Sequence, residues 1–149
     1  MILDHIAELD AWVGKELGSS EWILVDQGRI DRFAGATGDY QWIHVDPKRA
    51  ADGPFGTTIA HGYLTLSLLI PMWTEILDVT EATTKVNYGL NKVRFPAPVP
   101  VNSRIRTTAT LAAVESIPGG VQVTVDAVIH SDATDKPVCV AQPIFRFYA

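Results

Sequence analysis

The chain has 149 residues, a length that suits one domain spanning residues 1–149 and a core built without disulfide or metal staples. With 47% apolar and 19% charged residues the composition is that of a globular protein, which excludes a disordered chain. A net charge of −5 and the lack of any Lys/Arg run exclude binding to nucleic acid through phosphate neutralisation.

The N-terminal stretch "MILDHIAELDAW" is acidic where a signal peptide would be basic. Within it, Ile6, Leu9 and Val13 recur with a helical period, so "HIAELDAWV" is expected to be a helix. "EWILVD" reads as a short strand. "QGRIDRFAGATG" reads as a short helix closed by Gly38, a residue suited to the left-handed position after a helix end. "VDPKRAA" opens another helix, with Asp46 as its cap and Pro47 at its first position. "DGPFGTT" is a Gly/Pro loop. Residues 60–77, "AHGYLTLSLLIPMWTEIL", are apolar on nearly every face, which predicts a buried helix with a kink or break near Pro71. Its apolar run is too short and interrupted to span a bilayer, so the expected compartment is the cytoplasm.

The second half is β-rich. "KVNYGLNKVRF", "RIRTTATLAAVESI", "VQVTVDAVIH" and "VCVAQPIFRFY" are the expected strands. The clearest alternation sets Val121, Val123, Val125, Ala127 and Ile129 against Gln122, Thr124 and Asp126. "PGG" at 118–120 and "SDATDK" at 131–136 signal hairpins, and "FPAPVPVNS" is a Pro-rich connection. The pattern gives an α+β class: an antiparallel sheet with one wet face and the buried helix on the other. Cys139, the one cysteine, lies in the apolar run "PVCVA" and is expected to be a core residue; neither a disulfide within the chain nor a cysteine metal cluster is available.

Two places can carry chemistry. In "ATGDYQWIHVDPKRAA", Asp39 follows one helix stop and His44 precedes the next helix start. A short loop pinned at both ends can hold an acid and a base in fixed geometry, and the two titrate in different ranges. Read alone, both are also ordinary loop residues, and Tyr40 and Trp42 are ordinary packing residues. The second place is His61-Gly62 at the start of the apolar helix. Unpaired N–H groups there suit a developing oxyanion, and Gly62 lets a ligand approach the backbone; equally, Gly62 can make room for packing. His61 is a catalytic candidate better suited to orienting or packing, while His5 and His130 read as surface residues. No Gly-x-Ser-x-Gly elbow, dinucleotide fingerprint, phosphate-binding loop or zinc spacing occurs. An Asp, a His and a helix start, with no metal, suit addition or removal of water at a carbonyl-activated double bond.

At these residues the chain resembles the MaoC-like dehydratase family, which includes (R)-specific enoyl-CoA hydratases and NodN-like proteins. That family carries Gly-Asp-x-Asn-Pro-aliphatic-His, then a His-Gly opening the central helix. Here the first reads Gly38-Asp39-Tyr40-Gln41-Trp42-Ile43-His44 and the second His61-Gly62, and the resemblance extends over residues 20–147. It implies a hot-dog fold, a long helix wrapped by a curved antiparallel sheet. It also implies reversible syn hydration of a trans-2-enoyl thioester by Asp39 and His44, with Gly62, Gln41 and His61 near substrate. Coenzyme A or an acyl carrier enters as part of the substrate; no separate cofactor, metal, membrane or nucleic acid is implied, and a homodimer is. Gln41 and Trp42 depart from the usual Asn-Pro. Some members place a hydroxyl near the position of Ile70; here either Ser67 substitutes or that contact is absent. Lys92 and Arg94 can face a CoA phosphate, though solvated strand positions suit them better. Two other readings use the same fold: a thioesterase, and a non-catalytic acyl-binding module.

Overall fold

A computed structural model describes residues 1–149. The chain opens with β1 (Ile2–Leu3), a single 3-10 stretch (Ile6–Trp12), β2 (Glu16–Ser19) and β3 (Ile23–Val25). Helix α1 (Gln27–Thr37) is followed by the short helices α2 (Trp42–Val45) and α3 (Pro47–Ala51). The apolar helix comes next in two pieces, α4 (Gly62–Ser67) and α5 (Leu69–Ile76). Strands β4 (Asp78–Val79), β5 (Thr84–Arg94), β6 (Ser103–Ile117), β7 (Gly120–Ser131) and β8 (Thr134–Tyr148) complete it.

The main sheet is antiparallel in the order β2-β6-β7-β8-β5, with β3 also paired to β6; β1 and β4 form a small parallel pair. The α4–α5 helix lies on one face of this sheet, the arrangement of a hot dog. The alternation expected in β7 holds: Val121, Val123, Val125, Ala127 and Ile129 are buried and the residues between them are not. They meet Leu69, Met72, Trp73 and Ile76 from α5, and the Trp73 ring stacks on Phe145 of β8 at 5.1 Å. Cys139 is part of this core, where burial pushes its thiol up to about 11. Both hairpins form. At the first, a Cβ on Gly120 would fall 1.9 Å from the Phe147 carbonyl oxygen, so only glycine fits there.

Three expectations are corrected. The helix expected at "HIAELDAWV" is a 3-10 stretch over Ile6–Trp12, so its apolar spacing serves a tighter coil in which Leu9 alone is buried. The break expected near Pro71 falls at Leu68. Proline cannot donate to the carbonyl four residues back, and its ring collides with it, so Pro71 expels the helix one turn earlier, at Ser67-Leu68. That helix is not buried all round, however: Tyr63 is 72% exposed, and Ser67, Pro71 and Thr74 are also on the surface. Finally, the segment between Gly38 and Asp46 is not loop throughout, because α2 occupies half of it.

Candidate active site

The local sequence fixes the entrance and exit of the Asp39–His44 segment. Gly38 ends α1 in the left-handed conformation (φ 83°), its N–H donating to the Ala34 carbonyl. Asp46 caps α3, its carboxylate accepting from the Arg49 N–H at 3.0 Å, with Pro47 at the first helical position. Between them Asp39 is exposed, while His44, on the single turn α2, is buried.

Helix α4 begins where the sequence places it. His61 is its cap residue, and the first bond of the turn runs from the Thr65 N–H to the His61 carbonyl. The N–H groups of Gly62, Tyr63 and Leu64 precede that bond and have no partner within the helix. The packing role of Gly62 is real as well: a Cβ there would lie 3.1 Å from the Phe95 ring.

The two histidines meet in space although they lie 17 positions apart in the chain. Their rings stack, with centroids 3.9 Å apart and 24° between planes, and Phe33 of α1 covers His61 from another side at 4.9 Å. His44 Nδ1 lies 2.7 Å from the Ile59 carbonyl oxygen. A carbonyl can only accept, so Nδ1 carries the proton and Nε2 keeps its lone pair. His61 Nε2 sits 3.0 Å from the Asp39 backbone carbonyl, which by the same logic protonates Nε2 and leaves Nδ1 bare, buried and without a hydrogen-bond partner. Side-chain polar atoms of Asp39, His44 and His61 lie within 4.8 Å of one another.

Burial holds the His44 imidazole below its ordinary value; the hydrogen bond to Ile59 raises it, His61 lowers it and the Asp39 charge raises it, in that order of size. The ring is therefore neutral at neutral pH and basic at Nε2. These three groups are close enough to be candidate metal ligands; the stacking of the two rings, 24° between planes, differs from the tetrahedral arrangement at about 2.0–2.2 Å that zinc takes.

His44, Gly62 and Thr65 open onto a cavity of about 330 Å³. Its other walls are mainly apolar: Phe55, Ile59, Val138 and the run Phe95–Val99. This run is the Pro-rich segment expected only as a connection. Prolines resist sheet pairing and stay extended, which makes them a stiff wall. Thr65 and the "FPAPV" wall are the site residues that sequence reasoning passed over; proline density beside a strand end was the available signal for the second. Ser67 does not take the expected hydroxyl role, since it donates to its own helix at the Tyr63 carbonyl and is exposed. Gln41 precedes α2 with its side chain exposed and outside the cavity wall. Trp42 packs against Gly53, where an added Cβ would come within 2.8 Å of the ring, and lies under the Arg49 guanidinium at 4.4 Å. Lys92 and Arg94 are exposed on β5, His5 is exposed, and His130 is half-buried on β7.

A hot-dog sheet with an Asp/His cluster at the start of its helix is a recognisable arrangement, and comparison with known proteins agrees with it. The profile described as "MaoC like domain" matches residues 9–133, and the chain belongs to that family. It is 50% identical over 147 residues to 3-hydroxyacyl-thioester dehydratase Z of Mycobacterium tuberculosis, covering 98% of this chain and 97% of that one. It is 54% identical over 103 residues to nodulation protein N of Rhizobium leguminosarum, covering 68% and 64%. Among solved structures, the unliganded R-hydratase PhaJ1 of Pseudomonas aeruginosa superposes with a TM-score of 0.74 at 21% identity, covering 91% of this chain and 81% of that one.

Proposed function

We propose that the chain is a hydro-lyase that interconverts trans-2-enoyl and (3R)-3-hydroxyacyl thioesters by syn addition and removal of water. The observation that carries the reading is the His44 imidazole. It is buried, neutral and fixed by Ile59 with its basic nitrogen free, beside a carboxylate and an apolar cavity. The close relationship to a 3-hydroxyacyl-thioester dehydratase over nearly the whole chain supports the same chemistry.

In the hydration direction the acyl chain lies along the apolar wall with its thioester carbonyl toward the Gly62 N–H. Asp39 and His44 hold one water beside the β-carbon. His44 Nε2 takes a proton from that water as its oxygen bonds to the β-carbon and the double-bond electrons move to an enolate. The Gly62 N–H stabilises the enolate oxygen. The α-carbon then takes a proton from the Asp39/His44 pair on the same face, which returns the pair to its starting state. Dehydration is the reverse. Crotonyl-CoA is a direct probe: loss of enoyl absorbance without release of free thiol supports hydration. Thiol release identifies a thioesterase instead, and binding without turnover identifies a non-catalytic module.

The base must be neutral to act, so the pH profile has a definite sign. Because burial lowers the His44 value, the hydration rate is expected to hold its plateau down to about 6.5, the ordinary histidine value, and to fall only below it. Stability follows the same direction. Between the unfolded and the lower folded value the unfolded chain binds more protons, so the contribution present above the unfolded value is lost as pH falls. A rate profile whose acid limb lies above the ordinary histidine value would contradict the assignment.

The proposal includes a second copy of the chain. Strand β5 pairs only with β8, is 11 residues long, and exposes Val86, Tyr88 and Leu90. A long apolar edge left unpaired invites another strand, and two such edges pairing would join the sheets. Light scattering is expected to give twice the chain mass of 16.3 kDa; a monomer at working concentration would refute the pairing. Since no helix is long and apolar enough to cross a membrane, the acyl thioester is taken to reach the cavity from water.

A further inference from the structure

A one-turn helix cannot support itself, because most of its carbonyls have no partner inside it. The α2 turn is held from outside. The Ile43 carbonyl accepts from the Ile59 N–H at 3.0 Å. The His44 carbonyl accepts from the Gln27 side chain, Nε2 at 2.7 Å. The same Nε2 donates to Asp31 at 2.9 Å, and Gln27 Oε1 accepts from the Thr58 hydroxyl at 2.6 Å. Chemistry fixes the amide's orientation: the His44 carbonyl needs a donor, so the NH₂ must face it. Thr58 is 1% exposed and adjoins Ile59, whose carbonyl sets the His44 tautomer.

We infer that Gln27 is a positioning residue for His44, holding the main chain of the base and, through Thr58, the carbonyl that fixes its ring in one frame. Gln27 does not itself line the cavity, so it acts on the reaction through the groups it holds, the His44 main chain and the Thr58-Ile59 segment. It ties three pieces of chain that sequence separates: the start of α1, the α2 turn and residues 58–59. This rests on the hydro-lyase reading for its kinetic part, and on geometry alone for the rest.

The test uses Gln27→Met, which removes both halves of the bridge. Gln27→Glu replaces the NH₂ with an oxygen facing the His44 carbonyl. Thr58→Val and Thr58→Ser remove and keep the hydroxyl. Turnover of crotonyl-CoA and the ¹⁵N spectrum of labelled histidines are read on each folded variant. Misplacing a catalytic group by about an ångström costs on the order of 10²-fold, so both Gln27 variants are expected to lose about 10- to 100-fold in kcat with KM nearly unchanged. The His44 signal should pass from one Nδ1–H tautomer to a mixture. Thr58→Val should shift in the same sense and Thr58→Ser should not. If the Gln27 variants do not fold, the two Thr58 variants decide by the same readouts. Wild-type kcat with an unchanged His44 signal overturns the inference, as does a loss confined to KM. Should the wild-type protein leave crotonyl-CoA untouched, the hydro-lyase reading fails, and the tautomer spectrum still decides the role of Gln27.

Discussion

Replacing His44 with alanine is expected to lower the hydration rate by roughly 10²–10⁴-fold, the usual worth of a general base. That is about 3–5 kcal/mol of barrier. Phe55, the Phe95–Val99 wall and Val138 line the cavity proposed for the acyl chain and none is altered, so KM should change little. The fold should survive, because α2 keeps its bonds from Ile59 and Gln27, and the ring lost belongs to the site and not to the sheet–helix core. Steady-state kinetics beside a circular dichroism spectrum check both halves. A folded His44→Ala protein with near-normal hydration would show that His44 is not the base.

Asp39→Asn is expected to cost nearly as much while changing almost nothing in shape. The amide is isosteric and can still accept from the Gln41 N–H, as the carboxylate does at 3.3 Å. It loses the negative charge that favours a protonated His44 and the ability to pass a proton. Loss of about 10²-fold or more in kcat is expected, with the acid limb of the rate profile moving to lower pH because one of the influences raising the His44 value is gone. Kinetics across pH on the variant test this; an unchanged limb and an unchanged rate would show that Asp39 only shapes the loop.

Much of this arrangement could be read from the chain because it depends on local rules. Gly38, Asp46 and Pro47 mark helix ends by chemistry that acts over one or two residues, and all three do what such residues do. The β7 alternation is equally local. What escaped was set by distant contacts or by elements too short to show a period. The four residues of α2 have no amphipathic repeat, and their helical form depends on Ile59 and Gln27. In β2, Gly18 sits beside a register shift with φ 126°, which interrupts the strand signal. The stack of His44 on His61, with both tautomers set by main-chain carbonyls, needs the fold to exist before it can be seen. Trp42 explains itself in the same way. Where the family usually has proline, its ring packs on Gly53 beneath Arg49, stiffening the turn by contact where proline would do so by its ring.

The central claim is that one water adds across one face of the double bond, directed by His44 and Asp39. Hydration of crotonyl-CoA in deuterated water, with the product resolved by chirality and by NMR at the α-carbon, tests it most directly. The expected product is a (3R)-hydroxyl with one deuterium at the α-carbon on the same face, formed by the wild-type chain and scarcely by His44→Ala. A (3S) product, deuterium on the opposite face, or equal product from both proteins would contradict it.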